Sequence, residues 1–254
     1  MSESIVFTSG KGGVGKTTSL ANIGVGLALL DKKVLMIDTD MGLRNLDVVM
    51  GMESQINYNI YDLLDKKCHM KQAIIKDKRF PGLHIIPGTV KTFPLQKYEN
   101  TFADYIRLFK QDYDYILIDC PAGIDAGFHF SINAADVSFV VTTPHISSIR
   151  DAGRTIYELN QANHNPIHLL INEYDSRLAK KRQLLSKKDI EEILELTSFG
   201  IIPYDKHVIT SQNVGIPIIA ESRRISDSYM KICKKIVKNG LHIVEEKEFL
   251  YEAL

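Results

Sequence analysis

The residue types best suited to chemistry stand close to the N-terminus. Residues 8–18 read TSGKGGVGKTT, and Gly10, Gly15, Lys16 and Thr17 satisfy G-x-x-x-x-G-K-[ST]. That spacing binds a polyphosphate: the glycines let backbone N–H groups close around phosphate oxygens, Lys16 reaches the β and γ phosphates, and the Thr17 hydroxyl ligates magnesium. Gly12, Gly13, Val14 and Thr18 complete the expected nucleotide-binding stretch. Lys11 adds a second ammonium inside the loop, more positive charge than one nucleotide in its own pocket needs. Reaching a phosphate held by another subunit is a natural use for it.

Carboxylates follow at matching places. Asp38 and Asp40 stand just beyond the carboxyl end of an apolar run at 33–37. Their i, i+2 spacing sends both side chains the same general way if the strand persists, so together they can serve a magnesium and an attacking water. Asp119 ends a second apolar run, 115–119, in the Walker B arrangement that sets an aspartate beside the magnesium. Pro121, Ala122 and Gly123 supply a turn whose amides can lie near the γ-phosphate. Asn172 stands at the carboxyl end of the run 167–171, placed to read a base by hydrogen bonds.

The elements that must position these residues are legible as an alternation. Short apolar runs at 4–7, 33–37, 83–87, 115–119, 137–142, 167–171 and 199–205 read as strands buried on both faces. Between them lie helical patterns at 20–30, 58–64, 102–113, 147–160 and 227–238, with a polar, aperiodic stretch at 91–100 that reads as a loop or as a weakly ordered helix start. The spacing predicts an α/β fold: a single doubly wound, mostly parallel sheet with helices on both faces and the ligand at the carboxyl ends of the strands. One domain is expected over 1–240, followed by a C-terminal tip at 241–254.

Composition limits the partners. Lys plus Arg and Asp plus Glu both count 31 in 254 residues, so no overall field attracts nucleic acid or an anionic membrane. The basic run 177–188 adjoins acids and lacks interleaved aromatics, so it reads as a solvated face and not as a nucleic-acid patch. Cys68, Cys120 and Cys233 have no C-x-x-C spacing, which argues against disulfides and structural zinc and for a reducing compartment. No signal-peptide pattern and no bilayer-length apolar run is seen, so a cytoplasmic protein is expected.

With these residues in hand, the chain resembles the MinD/ParA family of deviant-Walker-A ATPases, and within it the MinD branch that places the bacterial division site. KGGVGKTT carries the family lysine as Lys11; DTDMGLRNLDVVMG (38–51) resembles the first switch segment, IDCPAGID (118–125) the Walker B and second switch, and SSIRDAGR (147–154) the helix that faces partners. The similarity runs from about 5 to about 238. It implies ATP and ADP with Mg2+ as ligands and an ATP-promoted homodimer in which Lys11 crosses to the partner's nucleotide. It implies Lys11, Lys16 and Asp40 as catalytic residues, Asp40 positioning the attacking water, with Thr17, Asp38 and Asp119 around the magnesium. Asn172 and the turn from Pro203 to Asp205 would hold adenine. A MinC-like inhibitor and a MinE-like stimulator, the latter at a surface including Asp151, are the implied partners. Hydrolysis would be slow without the stimulator.

The C-terminus departs from that pattern. Members of this branch end in a short basic amphipathic helix that grips anionic lipid, whereas 245–254 read EEKEFLYEAL, with four acids and one lysine. Acids there repel an anionic leaflet where each cation would attract by about 1 kcal/mol. Peripheral attachment to the inner face of the membrane is left open. Also open are relatives with another cargo, such as a flagellar-number regulator or a partition ATPase, and a nucleotide-gated scaffold with negligible hydrolysis.

Overall fold

Successive side chains of a strand face opposite ways, so a run without polar alternation must be covered on both sides. In β1 (Glu3–Thr8), Ile5 and Phe7 enter one core and Val6 the other; in β2 (Val34–Asp38), Val34 and Met36 face one way and Leu35 and Ile37 the other. The computed structural model describes residues 2–241 except 43, 92 and 165. The remaining strands are β3 (Ile75–Lys76), β4 (Leu83–Ile86), β5 (Tyr115–Asp119), β6 (Val137–Thr142), β7 (Ile167–Tyr174) and β8 (Ser198–Pro203). They form one eight-stranded sheet in the order β3-β4-β2-β5-β1-β6-β7-β8. All pairs are parallel except β3 with β4.

The register places the chemistry. Asp38 pairs with Asp119 across β2 and β5, and Phe7 pairs with Asp119 across β1 and β5, so both acids and the start of the phosphate loop share one sheet edge. It is the carboxyl edge, where ligands bind in open α/β sheets.

Helices Lys16–Ala28 and Arg224–Asn239 cover one face through Leu20, Ile23, Leu27, Tyr229, Ile232 and Ile236. Each such aliphatic burial contributes roughly 1.5–3 kcal/mol. The first of these helices is buried almost all round, and its glycines permit close approach: a Cβ on Gly24 would lie 2.4 Å from the Met36 sulfur, and one on Gly26 2.5 Å from the Cys233 sulfur. Helices Glu99–Phe109, Ala126–Ile132, Ile146–Gln161 and Lys187–Ile193 cover the other face with Phe102, Phe109, Phe128, Ile149, Leu159 and Ile190.

Several expectations are corrected. Asp38 is the last residue of β2 and fully buried, not a loop residue beyond the strand. β7 runs on to Tyr174, so Asn172 lies within a strand. The stretch 91–100 is less polar in effect than it reads: Leu95 and Tyr98 are buried and Phe93 stacks on Tyr61 at 4.6 Å, which starts the helix at Glu99. That helix ends at Phe109, before Tyr113. The basic run is divided between two short helices, Ser176–Lys180, capped by Asp175 accepting N–H groups of Arg177 and Leu178, and Lys187–Ile193, capped by Ser186 accepting that of Asp189. Leu241, assigned above to the tip, is fully buried, and its carbonyl oxygen lies 2.8 Å from His168 Nε2. The rest of that segment, 242–254, lies outside the described residues.

Candidate functional site

β1 ends at Thr8, and the helix Lys16–Ala28 starts at Lys16, so the glycine loop spans from strand to helix N-terminus as a phosphate loop requires. Its glycines are there for different reasons. Gly13 and Gly15 take φ of 81° and 84°, which favour glycine. A Cβ on Gly10 would lie 2.3 Å from the Asp151 carbonyl oxygen, and one on Gly15 2.1 Å from Asn172 Nδ2. Gly12 and Gly13 face open space, where a ligand can approach the backbone. Val14 is buried in the core and anchors the loop.

The loop opens on a cavity of about 410 Å³. Its lining comes from three parts of the chain: Gly12, Gly13, Lys16, Thr17 and Thr18 from the loop and the start of the helix after it, Asp40, Asn45 and Val48 from the segment after β2, and Asn172, Pro203, Asp205, Ile209 and Gln212 from β7, β8 and the helix that follows. Lys11 is exposed and is not among the lining residues.

Asp119 organises the phosphate end. One carboxylate oxygen accepts from Lys16 Nζ at 2.6 Å and the other from the Thr17 hydroxyl at 2.7 Å. Burial works against the Lys16 charge, but the Asp119 carboxylate outweighs it and holds the ammonium above its ordinary pKa. Asp38 is fully buried beside Asp119, its oxygens accepting the N–H groups of Asp40 at 2.9 Å and Leu46 at 3.2 Å. Burial first, and then the Asp119 charge, push the Asp38 carboxyl up to about 7. Asp40 is half-buried, and burial raises its carboxyl too, with Lys16 opposing.

Two carboxylates and a hydroxyl at one point are hard oxygen donors. Among the described residues no three His, Cys, Asp or Glu side chains form a metal-holding cluster. The set therefore suits an ion that takes one or two carboxylates and completes its shell with phosphate oxygens and water, which is the habit of magnesium.

The base end differs from expectation in one respect. Asn172 is 6% exposed, and its Nδ2 donates to the Val14 carbonyl at 2.9 Å, so its amide braces the phosphate loop as well as lining the cavity. Asp205 lies just before the short helix His207–Asn213, and its Oδ1 accepts from His207 N at 2.9 Å. Sequence reasoning missed that helix, whose Gln212 donates to the Thr18 hydroxyl at 2.5 Å, and missed Asn45 and Val48 as lining residues. An Asp two residues before the first helical residue, able to accept its N–H, was the available signal for the helix.

Comparison with known proteins gives the fold and the family. Residues 2–168 match the family described as an AAA domain. The septum site-determining protein MinD of Bacillus subtilis is 41% identical over 252 residues, covering 97% of this chain and 94% of that protein. Its counterpart in Helicobacter pylori is 37% identical over 250 residues, covering 96% and 93%. The MinC:MinD cell division protein complex of Aquifex aeolicus superposes with a TM-score of 0.86 at 39% identity, covering 93% of this chain and 96% of that one. The Pyrococcus horikoshii MinD complexed with Mg-ADP superposes with a TM-score of 0.84 at 27% identity, covering 94% and 97%. With a P-loop NTPase sheet, a phosphate loop carrying Lys11 and relatives matched over nearly their whole length, this chain belongs to the MinD family of septum site-determining proteins.

Proposed function

We propose that the protein is an ATP-dependent dimerising switch of the MinD type that positions the division site by recruiting a division inhibitor. The observation that carries this reading is the Asp119 carboxylate, shared between Lys16 and Thr17 at the phosphate end of the cavity. Lys16 and Thr17 are the two side chains a γ-phosphate and its metal would need, and here they are parked on the acid that serves the same metal.

The proposed reaction is attack of water on the γ-phosphorus, with cleavage of its bond to the β–γ bridging oxygen, giving ADP and phosphate. Thr17, Asp38 and Asp119 are the residues that would hold Mg2+, which neutralises charge on the β and γ oxygens when bound. Gly12, Gly13 and Gly15 bring backbone N–H groups to the phosphates, and Lys16, leaving Asp119, places its ammonium on the γ-phosphate. Asp40, on the open wall of the cavity, orients the attacking water. Asn172, braced on Val14, presents its free oxygen to adenine's amino group, with Pro203 and Asp205 beside it. Lys11, exposed and outside its own cavity, reaches the nucleotide of a second copy.

A MinC-like inhibitor reads the dimer, and a MinE-like stimulator acts near Asp151. The Asp151 backbone packs on Gly10, so force on this helix reaches the phosphate loop directly. No helix of the described residues is long and apolar enough to cross a membrane. Cargos outside septum placement are not favoured, since septum site-determining relatives match over nearly their full length.

Phosphate release from MgATP, by wild type and by Lys16→Ala, tests the reading. Release by the wild type that Lys16→Ala lacks is expected. Tight MgATP binding by the wild type with no release, even with stimulator, would replace the ATPase with a nucleotide-gated scaffold.

A further inference from the structure

Arg79 lies outside the cavity and has no part in the chemistry above, yet its guanidinium is committed on three sides. Asp77, 6% exposed, fixes it: Oδ1 accepts from Arg79 Nε at 3.0 Å and Oδ2 from Nη2 at 2.7 Å. So oriented, Nη2 donates to the Met50 carbonyl at 2.5 Å and Nη1 to the Gly215 carbonyl at 2.8 Å. Four guanidinium bonds in a planar fork define one position, which a flexible ammonium does not reproduce.

The two carbonyls end two segments that each contribute lining residues to the cavity. Met50 caps the helix Leu46–Val49, whose first N–H is held by Asp38 and whose Val48 and Val49 line the wall that carries Asp40. Gly215 follows the helix His207–Asn213, whose Ile209 and Gln212 line the base end. Beneath Arg79 the two backbones interlock. A Cβ on Gly51 would lie 2.9 Å from the Gly215 Cα, one on Gly215 would lie 2.4 Å from the Gly51 Cα, and both glycines have positive φ, 62° and 66°. Backbones this close cannot slide past each other without parting, so the contact is either made or broken.

We propose that Arg79 is a positioning residue that clamps the Asp40 wall to the base-end wall, so that the nucleotide cavity opens and closes as one unit. The inference rests on the nucleotide-switch reading in taking this cavity as the nucleotide site. Occupancy at the base end then fixes where Asp40 stands, a coupling carried by the Gly51–Gly215 contact and the Arg79 fork above it.

The test compares wild type with Arg79→Gln by amide hydrogen exchange without nucleotide and by the release rate of a fluorescent ADP. Losing one charge-assisted bond to each wall should speed ADP release about tenfold. Exchange should rise together in 44–51 and 207–217, with 116–119 in the central strand unchanged. Arg79→Lys, which keeps the charge without the fork, should shift both readouts the same way and serves if Arg79→Gln does not fold. Faster exchange in only one of the two segments, or in neither, overturns the clamp. Faster exchange in both with wild-type ADP release reduces Arg79 to a structural residue and overturns it equally. If wild type binds no ADP, the function proposed above fails, and the exchange pattern alone then decides whether the walls are clamped.

Discussion

Replacing Asp38 with Asn should stabilise the nucleotide-free protein at alkaline pH while impairing its use of MgATP. The Asp38 carboxyl is fully buried and in register with the buried Asp119, and these surroundings raise it from an ordinary 3.8 to about 7. An acid raised on folding binds its proton more readily in the folded chain. Its charged form therefore costs stability above pH 7, and the cost fades as pH falls from about 7 towards 3.8. At about 1.4 kcal/mol per pH unit, a rise of this size is worth at most ~4 kcal/mol. Against it stands one of the two backbone N–H bonds to Asp40 and Leu46, since asparagine has one acceptor oxygen, and that loss costs about 1–2 kcal/mol. The net gain of about 2 kcal/mol should raise the melting temperature by roughly 4–8 °C at pH 8 for a chain of this size. The assay is thermal unfolding of nucleotide-free wild type and Asp38→Asn at pH 8 and pH 5.5. The advantage should be largest at pH 8 and shrink to near zero at pH 5.5, where about half of the cost has faded and the lost N–H bond offsets the rest. A variant less stable at pH 8, or an advantage equal at both pH values, would refute the buried like-charge origin of the effect.

Three further outcomes follow from the site. Lys16→Ala removes the buried cation and should abolish nucleotide binding, measured by titration with a fluorescent ATP; it also leaves Asp119 beside Asp38 without the cation it pairs with, a loss of about 3–5 kcal/mol in buried settings. Lys11→Ala should bind ATP as wild type does, because Lys11 is exposed and outside its own cavity, yet fail to dimerise on a sizing column with MgATP. Asp40→Ala should bind MgATP and accumulate as the dimer, with phosphate release slowed by about 100-fold or more, as expected when a group that orients the nucleophile is lost.

The site was legible where its requirements are local in sequence. A phosphate loop needs a strand, glycines, a lysine, a hydroxyl and a helix in immediate succession, and all lie between Glu3 and Ala28. Asp119 could be found because an apolar run ending in acid is also local. Asn172 was found as a residue at the sheet edge, but its bond to Val14 joins positions 158 apart in the chain, and no periodicity encodes that. Asp38 looked like a loop acid because acids are rarely buried. Only the register of β2 against β5 shows that it ends a buried strand. The seven-residue helix His207–Asn213 and the two-residue β3 are too short for a hydrophobic period to appear. Arg79 sat unremarked in a lysine-rich turn, because its partners Met50 and Gly215 are 29 and 136 residues away.

Sedimentation velocity of the full chain with MgATP and with MgADP bears most directly on the proposed switch. With ADP the chain of 28.7 kDa should sediment as a monomer, and with ATP as a species of about twice that mass, reverting as phosphate is released. The same mass in both nucleotides, with binding of each confirmed in the same samples, would contradict an ATP-gated dimer and leave Lys11 without the role proposed for it.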